Sequence, residues 1–433
     1  MGKHSESNGE GSYLRRGGLG LVAIGVVGFA ADYSLNIGLS RVLDTFEYGD
    51  YKVARNFAVF FSAAVLLGGD RACPRTLTGA LERGESERVW GYLLFYLKIA
   101  LSLSFLVIAI TWISSYFLVG ETDPSAHHPI AWLALTIPIL ATGALASRAL
   151  QSAKRPVRAT LPWRVMLPLL ILLVVLAWSL TDDDMTLMTV VAIAILVTLV
   201  VSAWQIWDAQ RLALPRLALD SEISERKHWI AVSLPMIGFF LVTLGLAQSD
   251  IYLMEILGDE HEVGLYAAVE TTAHLLVLIQ TIVIGLMAPL VSLAIESGAK
   301  ACAKTRRQGL VVMLCGLVPA TALLYLAGAP ILGLFGAHFR VAETELYILL
   351  VGNFAWALAA LAALWMQYTG RGFTVMVIAG AALLVDSALN VALIPHYGMR
   401  GAAASTAATL VLAAMALAIS SSFNRRRARN PGN

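Results

Sequence analysis

Three carboxylates lie inside long apolar stretches of this 433-residue sequence: Asp32, Asp250 and Asp386. A charge at the centre of a bilayer costs from a few to more than about ten kcal/mol unless it meets water or a partner. A carboxylate in such a place can bind a cation or take up a proton, and it can thereby couple transport to an ion gradient. We therefore predict that all three residues contribute to coupling with H+ or Na+.

Each of these acids also has a structural interpretation. Asp32 and Arg55 lie at similar depth in the first two apolar stretches, so they can form a permanent ion pair that joins two helices. Asp250 lies beside a helix end, a position typical of an architectural residue. Asn390 follows Asp386 by one helical turn and can donate a hydrogen bond to it. The sequence leaves both interpretations open.

Four cations are candidates for binding an anionic group. Arg55 and Lys98 lie within apolar stretches, whereas Arg148 and Arg164 lie at the ends of such stretches. Arginine suits two-pronged contacts with phosphate oxygens, and lysine acts as a compact point charge. Long side chains near a helix end can instead extend to the membrane surface. We predict that these four residues bind substrate, with the surface interpretation as the alternative.

No pattern in the sequence predicts an enzyme. It has no glycine-rich phosphate-binding loop and no His-Glu-x-x-His, Gly-x-Ser-x-Gly or Cys-x-x-Cys motif. Its three cysteines, Cys73, Cys302 and Cys315, have no spacing typical of a metal site or a disulfide framework. We therefore expect no catalytic residues, no metal site and no cofactor. Such a chain must use an ion gradient or equilibrate its substrate.

Apolar stretches long enough to cross a membrane account for most of the chain. Hydrophobic residues make up 58% of it and charged residues only 14%, whereas soluble proteins have about a quarter charged residues. A bilayer core needs about twenty apolar residues per helix. Twelve stretches qualify: 17–40, 53–70, 90–119, 128–150, 161–180, 185–207, 228–257, 265–295, 309–329, 344–367, 373–394 and 402–420.

Lysines and arginines are concentrated on one side of these twelve predicted helices. Of the 31 in the sequence, 25 fall in the termini and alternate connectors, five fall in the opposite connectors, and Lys98 lies within a helix. Cytoplasmic segments of membrane proteins are enriched in these residues. We therefore expect a multi-pass protein of the inner (cytoplasmic) membrane with both termini in the cytoplasm. The arginine-rich segment 425–429 is expected to anchor on anionic lipid, and no nucleic-acid partner is predicted.

Two short motifs recur at nearly the same separation along the chain. Gly49-Asp-Tyr51 and Gly264-Leu-Tyr266 are separated by about half of the chain length, and Gln151 and Gln367 by almost the same distance in sequence. The interval from Gly49 to Gly264 is called the repeat separation. Chance similarity of turns is one explanation. The other is an internal repeat of six helices, which places both halves in the same orientation about an axis along the membrane normal.

The predicted fold class is an all-α membrane protein with twelve transmembrane helices in two six-helix lobes, related by a pseudo-two-fold axis along the membrane normal. The longest connector near the middle of the chain separates the lobes. The predicted domains are a cytoplasmic N-terminal tail, an N-terminal lobe, a cytoplasmic linker, a C-terminal lobe and a basic cytoplasmic C-terminal tail, at residues 1–16, 17–207, 208–227, 228–420 and 421–433.

A longer motif lies between the last two apolar stretches: Leu389-Asn-Val-Ala-Leu-Ile-Pro395-His-Tyr-Gly398-Met-Arg-Gly401-Ala-Ala403. It combines an asparagine at a helix end, a proline expected to stop the helix, and a glycine turn that opens a small-residue helix. Together with Ser249-Asp-Ile-Tyr-Leu253 and the motifs above, it resembles the multidrug/oligosaccharidyl-lipid/polysaccharide exporter superfamily over essentially the whole chain. The sequence looks most like the polysaccharide-transport branch, the Wzx-type O-antigen and exopolysaccharide flippases.

The resemblance implies two six-helix lobes in a V around a central cavity. It implies translocation of a polyprenyl-diphosphate-linked oligosaccharide across the cytoplasmic membrane for polysaccharide biosynthesis. The expected partners are this glycan, membrane lipid, a coupling cation (H+ or Na+) and other polysaccharide-assembly membrane proteins.

Two other transporter functions stay open, a cation-coupled multidrug antiporter and a lipid-linked peptidoglycan precursor flippase. A glycan polymerase or ligase is disfavoured, because such enzymes need a sizeable outer loop and no outer connector here exceeds roughly fifteen residues.

Overall fold

The computed structural model describes residues 3–119, 128–180, 185–216 and 225–429, and every regular element in these ranges is helical. Parts of the predicted linker and of the C-terminal tail (217–224 and 430–433) lie outside the described residues. The α-helices in chain order are α1 (Lys3–Val42), α2 (Thr45–Ala64), α3 (Gly69–Glu82), α4 (Ser86–Val119), α5 (Pro129–Leu133), α6 (Ile137–Ser152), α7 (Pro156–Leu161), α8 (Leu167–Trp178), α9 (Leu187–Leu212), α10 (Arg226–Leu246), α11 (Ser249–Leu257), α12 (Glu260–Ser297), α13 (Ala299–Leu326), α14 (Gly328–Leu332), α15 (Glu343–Tyr368) and α16 (Gly372–Arg429).

Within the described ranges, ten helical segments are long and apolar enough to cross a membrane. The pair α2 and α3 adds an eleventh span, bent by 45°. The last segment, Gly372–Ser421, has 50 residues. As one straight helix it would be about 75 Å long, more than twice the thickness of a bilayer core. Its backbone breaks at Gly398, which gives two spans and the predicted total of twelve. The predicted all-α, multi-pass membrane fold is confirmed.

The described chain divides into two compact units, residues 1–241 (unit 1) and 242–433 (unit 2). The division falls inside α10, because most of this helix, up to Leu241, belongs to unit 1. There Trp229 contacts Tyr92 of α4 edge to face, with 5.2 Å between the ring centroids. The predicted domain bounds and the predicted pseudo-two-fold axis stay predictions.

Both predicted tails have helical backbone next to the membrane spans. The first helix already begins at Lys3, and the last continues to Arg429. Between Lys3 and Arg429 neither polar segment contains a proline that would end a helix. The predicted bounds of the tails stay predictions.

A break in unit 1 separates α2 from α3. Leu67 (φ 45°) and Gly68 (φ 79°) both adopt left-handed backbone, which costs a leucine about 1–2 kcal/mol. Tyr96 packs so closely on Gly69 that a Cβ there would overlap its ring, and Tyr92 donates a 2.7 Å hydrogen bond to the Gly69 carbonyl. Apolar composition predicted one continuous helix here. It could not reveal two consecutive left-handed residues.

The break in α16 lies at Gly398 (φ 54°, ψ −135°), and Pro395 lies inside the helix that precedes it. The sequence predicted that Pro395 ends the helix, whereas the helix continues past it to Gly398, so this expectation is wrong. Only glycine adopts the backbone conformation of Gly398 readily, so this residue sets the position of the break. Glu262 of α12 accepts the Met399 N–H at 2.7 Å. This bond satisfies a backbone donor at the break.

The two units begin their second spans in the same way. Asp44 caps the start of α2 and Asp259 caps the start of α12, and the two differ in position by the repeat separation. Tyr51 and Tyr266, at the same separation, are both buried. The local structure of each unit therefore supports an internal repeat over a chance similarity of turns.

Long apolar side chains project from the surface of α4. Phe105, Ile113 and Phe117 are each more than half exposed. Apolar exposure of this kind is typical of a surface that contacts another apolar phase, and the hydrophobic length of α4 identifies that phase as lipid.

Replacing Gly398 by alanine is expected to lower the free energy of unfolding by about 1–3 kcal/mol, since the backbone becomes strained and the new Cβ would overlap the Glu262 carboxylate. Gly380→Ala is the matched control in the same helix, because the space beside Gly380 is open and alanine favours a helix. Thermal unfolding in detergent, followed by circular dichroism, compares the two variants. Equal unfolding midpoints would contradict the assignment of the break to Gly398.

Candidate functional site

A polar cluster joins α1 and α2 in unit 1. It is called the Arg55 cluster and consists of Asp32, Asn36, Tyr48, Lys52 and Arg55. Arg55 Nη2 lies 2.6 Å from Asp32 Oδ1, and Asn36 donates a 2.7 Å hydrogen bond to the Asp32 backbone carbonyl. Asn36 Oδ1 accepts hydrogen bonds from the Tyr48 hydroxyl at 3.0 Å and from Lys52 Nζ at 3.2 Å. Hydrogen bonds thus connect all five residues.

Helical spacing explains why the residues of the Arg55 cluster meet. Its two α1 residues are four positions apart, and its three α2 residues are spaced by four and three, so each set lies on one helix face. A capping box fixes the start of α2. Asp44 accepts the Glu47 N–H at 2.7 Å, and the Glu47 carboxylate lies 3.4 Å from the Asp44 backbone nitrogen.

The Arg55 cluster has two cationic side chains and one acidic side chain. Lys52 is only 7% exposed, while the side chains of Arg55 and Asp32 are 28% and 38% exposed. A guanidinium has five N–H donors, and the contact with Asp32 engages Nη2, so a phosphate oxygen can bind Arg55 beside the carboxylate. The ion pair considered for Asp32 is present. A role for Asp32 in coupling stays a prediction.

An acid-rich cluster joins α11, α12 and α16 in unit 2. It is called the Asp386 cluster and consists of Ser249, Asp250, Tyr266, Glu270, Asp386, Asn390 and Thr406. The Asp386 carboxylate accepts a 2.6 Å hydrogen bond from Ser249 Oγ and a 2.9 Å hydrogen bond from Asn390 Nδ2. Asp386 and Asn390 are one turn apart, so they lie on the same face of α16.

Asp250 lies in the first turn of α11, beside Asp386. Its Oδ2 accepts hydrogen bonds from the Tyr266 hydroxyl and, at 3.4 Å, from Thr406 Oγ1. Glu270 is a third acid, within electrostatic range of Asp250. The side-chain donors that the described residues offer to Asp250 are therefore neutral hydroxyls, and the two neighbouring acids add to the negative charge of the cluster.

Two oxygens of the Asp386 cluster, Asp386 Oδ1 and Asn390 Oδ1, have no hydrogen-bond donor among the described residues. Both residues are fully buried. A buried acceptor without a donor costs about 1–3 kcal/mol. A bound cation or an added proton would remove this cost, and oxygen atoms are the ligands that hard cations prefer. The cluster is suited to hold a small cation.

The remaining predicted substrate residues lie outside both clusters. Lys98 is on an exposed face of α4, and Arg164 is exposed within a π-helical segment, Pro162–Met166. Arg148 donates a 2.7 Å hydrogen bond to Gln151. Arg148 also lies near a buried acid, Asp70, at the start of α3.

Several residues of these clusters are not predicted from the sequence. Lys52 precedes the predicted second span (53–70) and so falls in an outer connector, although its three-residue spacing from Arg55 places both on one helix face. Asn36 follows Asp32 by four positions, and this spacing likewise places both residues on one face of α1. No spacing in the sequence indicates the contacts of Ser249 and Thr406. Their hydrogen-bond acceptors, Asp386 and Asp250, are 137 and 156 residues away along the chain.

The fold is similar to solved structures of exporters. A multidrug-resistance MATE-family transporter of the MOP superfamily, in an inward-facing conformation, is 15% identical, with a TM-score of 0.76 over 96% of this chain and 100% of that chain. The lipid II flippase MurJ is 13% identical, with a TM-score of 0.67 over 93% and 86% of the two chains. A MOP-superfamily transporter from Pyrococcus furiosus is 13% identical, with a TM-score of 0.66 over 95% of each chain. These likenesses define the class of fold, that of the MOP-superfamily transporters.

A sequence profile described as "Polysaccharide biosynthesis protein" matches residues 14–294, well over half of the chain. The chain therefore belongs to the polysaccharide biosynthesis protein family. No curated protein matches its sequence significantly. The predicted resemblance to the exporter superfamily, with its polysaccharide branch, is confirmed.

Removing only the cation of the Asp32–Arg55 ion pair is expected to lower the free energy of unfolding more than removing both charges. Arg55→Gln should lower the free energy of unfolding by about 1–3 kcal/mol, since it leaves Asp32 charged without its cation. The double variant Asp32→Asn/Arg55→Gln should recover part of this loss, because both charges of the pair are removed together. A double-mutant cycle of thermal unfolding in detergent measures the coupling energy. Additive effects of the two substitutions would contradict a stabilising pair.

Proposed function

We propose that this protein is a flippase that moves a polyprenyl-diphosphate-linked oligosaccharide across the cytoplasmic membrane and couples this movement to H+ or Na+. The main observation in support of this proposal is that the two clusters have opposite charge. The Arg55 cluster has two cations and one acid, whereas the Asp386 cluster has three acids and no lysine or arginine. Arg55 and Glu270 differ in position by the repeat separation, so a cation of one half corresponds to an acid of the other. An anionic substrate and a cationic coupling ion require two such environments.

The Arg55 cluster supports a diphosphate substrate. A diphosphate has at least two negative charges, and Arg55 with Lys52 offers a planar guanidinium and a point charge side by side. Lys52 is buried, and hydrogen bonds to it strengthen as the local dielectric falls. A diphosphate bound to Arg55 would place a second anion beside Asp32. Asp32 would then take up a proton or another cation, which links substrate binding to coupling.

Lys98, Arg148 and Arg164 are proposed to contact the same anionic substrate at other stages of its passage. Because these three residues lie outside the Arg55 cluster, we propose that each contacts the substrate in turn rather than within one shared site. Arg148 and Arg164 lie at helix ends where arginines also serve orientation, so each role requires its own substitution.

The Asp386 cluster supports ion coupling in unit 2. The hydrogen-bond donors that the described residues offer to Asp250 and Asp386 are neutral, so a cation or proton adds the missing positive charge. An ion that binds one conformation of the transporter better than another shifts the population toward that conformation. A gradient of the ion would thereby drive the substrate in one direction.

A cation-coupled multidrug antiporter is the second candidate, and the acid-rich Asp386 cluster is the observation that favours it. Membership of a polysaccharide biosynthesis family and the cations Lys52 and Arg55, which repel cationic drugs, favour the flippase. A flippase for a lipid-linked peptidoglycan precursor would use the same diphosphate chemistry. It differs only in the glycan it accepts.

The proposed setting is the cytoplasmic membrane, with both termini in the cytoplasm, as the distribution of lysine and arginine predicts. Membrane lipid and other membrane proteins of polysaccharide assembly are the proposed partners. Transport of a lipid-linked glycan is consistent with the family and with the class of fold.

Lys52→Met is expected to weaken transport of a fluorescent polyprenyl-diphosphate oligosaccharide about 10- to 100-fold, the loss expected for a hydrogen bond to a charged group. Proteoliposomes with the label quenched from one side report the rate. Lys227→Met is the matched control, because its side chain is exposed at the start of α10.

The same vesicles are tested with a lipid-linked peptidoglycan precursor and with a cationic dye. Transport of the dye alone would support the antiporter, and transport of the peptidoglycan precursor alone would support that flippase. An unchanged rate in both Lys52→Met and Arg55→Gln would contradict the assignment of the substrate to the Arg55 cluster.

Asp386→Asn is expected to abolish the acceleration of transport by an imposed Na+ or H+ gradient while substrate binding is retained, since asparagine keeps the shape but not the charge. Glu345→Gln is the matched control. Glu345 is a fully buried acid of unit 2 that pairs with Arg400 at 3.0 Å, outside the Asp386 cluster. Flux measured with and without each gradient separates the two ions. An undiminished response in Asp386→Asn would refute coupling at this cluster.

A further inference from the structure

A pocket of about 320 Å³ lies in unit 2 between α12, α13 and α15, away from the Asp386 cluster. Met287, Val291, Leu358 and Leu361 form an apolar wall, and Arg306 and Arg307 line the same pocket. Its volume is at the lower end of the range for small-molecule sites, and such sites combine apolar walls with a few placed polar groups. The lining is that of a site for an amphiphile.

The charged part of this pocket is held in place by an aromatic ring. The Arg306 guanidinium carbon lies 4.5 Å from the centre of the buried Trp365 ring, which is a cation–π contact. Arg307 lines the pocket from the next position of α13, and Lys300 and Lys304 lie in the first turns of that helix. In the orientation that the charge distribution predicts, these cations are at the cytoplasmic surface.

The apolar part of the pocket depends on a glycine. Gly309 lies in the middle of a helix, where glycine costs about 1 kcal/mol relative to alanine. A Cβ at this position would lie 3.2 Å from Met287 Sδ and 3.5 Å from Leu361 Cδ2. A side chain longer than alanine would therefore enter the space beside the apolar wall.

We infer that this pocket binds an anionic glycerophospholipid of the cytoplasmic leaflet. The phosphate of the lipid contacts Arg306 and Arg307, and part of one acyl chain lies against the Met287–Leu361 wall. Basic pockets between transmembrane helices on the cytoplasmic side recognise anionic headgroups in this way. The apolar wall favours a lipid over a free phosphate. The bound lipid joins α12, α13 and α15, so it stabilises unit 2 whatever substrate the protein carries.

Thermal unfolding of the purified full chain in mixed micelles tests the inference. Phosphatidylglycerol is expected to raise the unfolding midpoint on the order of 5 °C at saturating concentration, since a ligand that binds only the folded state stabilises it. Phosphatidylcholine and inorganic phosphate should leave the midpoint unchanged. Native mass spectrometry of the same samples should detect retained phosphatidylglycerol.

Two matched pairs of variants locate the effect. Arg306→Gln/Arg307→Gln should lose the shift, whereas Lys300→Gln/Lys304→Gln, which removes the same charge from exposed positions of the same helix, should keep it. Gly309→Leu should lose the shift by filling the pocket. Ala192→Leu should keep it, because Ala192 is exposed in a wholly apolar groove of unit 1.

An equal shift with phosphatidylcholine, or the full shift in Arg306→Gln/Arg307→Gln, would overturn the inference. Inorganic phosphate that reproduces the shift would reduce the site to an anion site and would also overturn it. A shift with polyprenyl phosphate but not with phosphatidylglycerol would overturn it too, by assigning the pocket to the carrier lipid. If Gly309→Leu does not fold, the arginine pair and its lysine control decide the result.

Discussion

The low polarity of the membrane interior is the constraint on which the rest of this structure depends, because an ionised side chain there must find a partner within hydrogen-bond distance. The two units meet this requirement in different ways. In unit 1, Asp32 has the guanidinium of Arg55 at 2.6 Å. In unit 2, Asp250 and Asp386 have hydroxyl and amide donors, which stabilise a negative charge without balancing it. The ion pair balances its own charge, whereas the donors that the described residues offer to Asp250 and Asp386 are neutral.

Much of the fold could be predicted from the sequence, because apolar length and the bias of lysine and arginine depend on local composition. The corrections concern the backbone. The left-handed pair at Leu67 and Gly68 and the break at Gly398 depend on single dihedral angles and on the side chains packed around them. A proline such as Pro395 is a visible signal, yet a helix tolerates it when a nearby glycine takes the turn.

Only part of the candidate site could be predicted from the sequence. Residues that stand out by local composition or spacing were predictable, whereas residues whose partners are distant along the chain were not. Asp32, Arg55 and Asp386 stand out as charges in apolar stretches, and Lys52 could have been added from helical spacing alone. Ser249 and Thr406 complete the acid cluster from positions 137 and 156 residues away from their partners. A hydroxyl residue in a membrane helix is common and gives no sign of its partner, so only the folded structure brings these groups together.

The break at Gly398 divides α16, the helix that provides three residues of the Asp386 cluster. Asp386 and Asn390 lie on the segment before this joint, and Thr406, which donates a hydrogen bond to Asp250, lies on the segment after it. About two helical turns separate Thr406 from the joint, a lever of about 12 Å. A rotation of about 10° at Gly398 would therefore move the threonine hydroxyl by about 2 Å, enough to break a hydrogen bond. The angle of the helix at Gly398 and the hydrogen bond from Thr406 to Asp250 are therefore expected to change together.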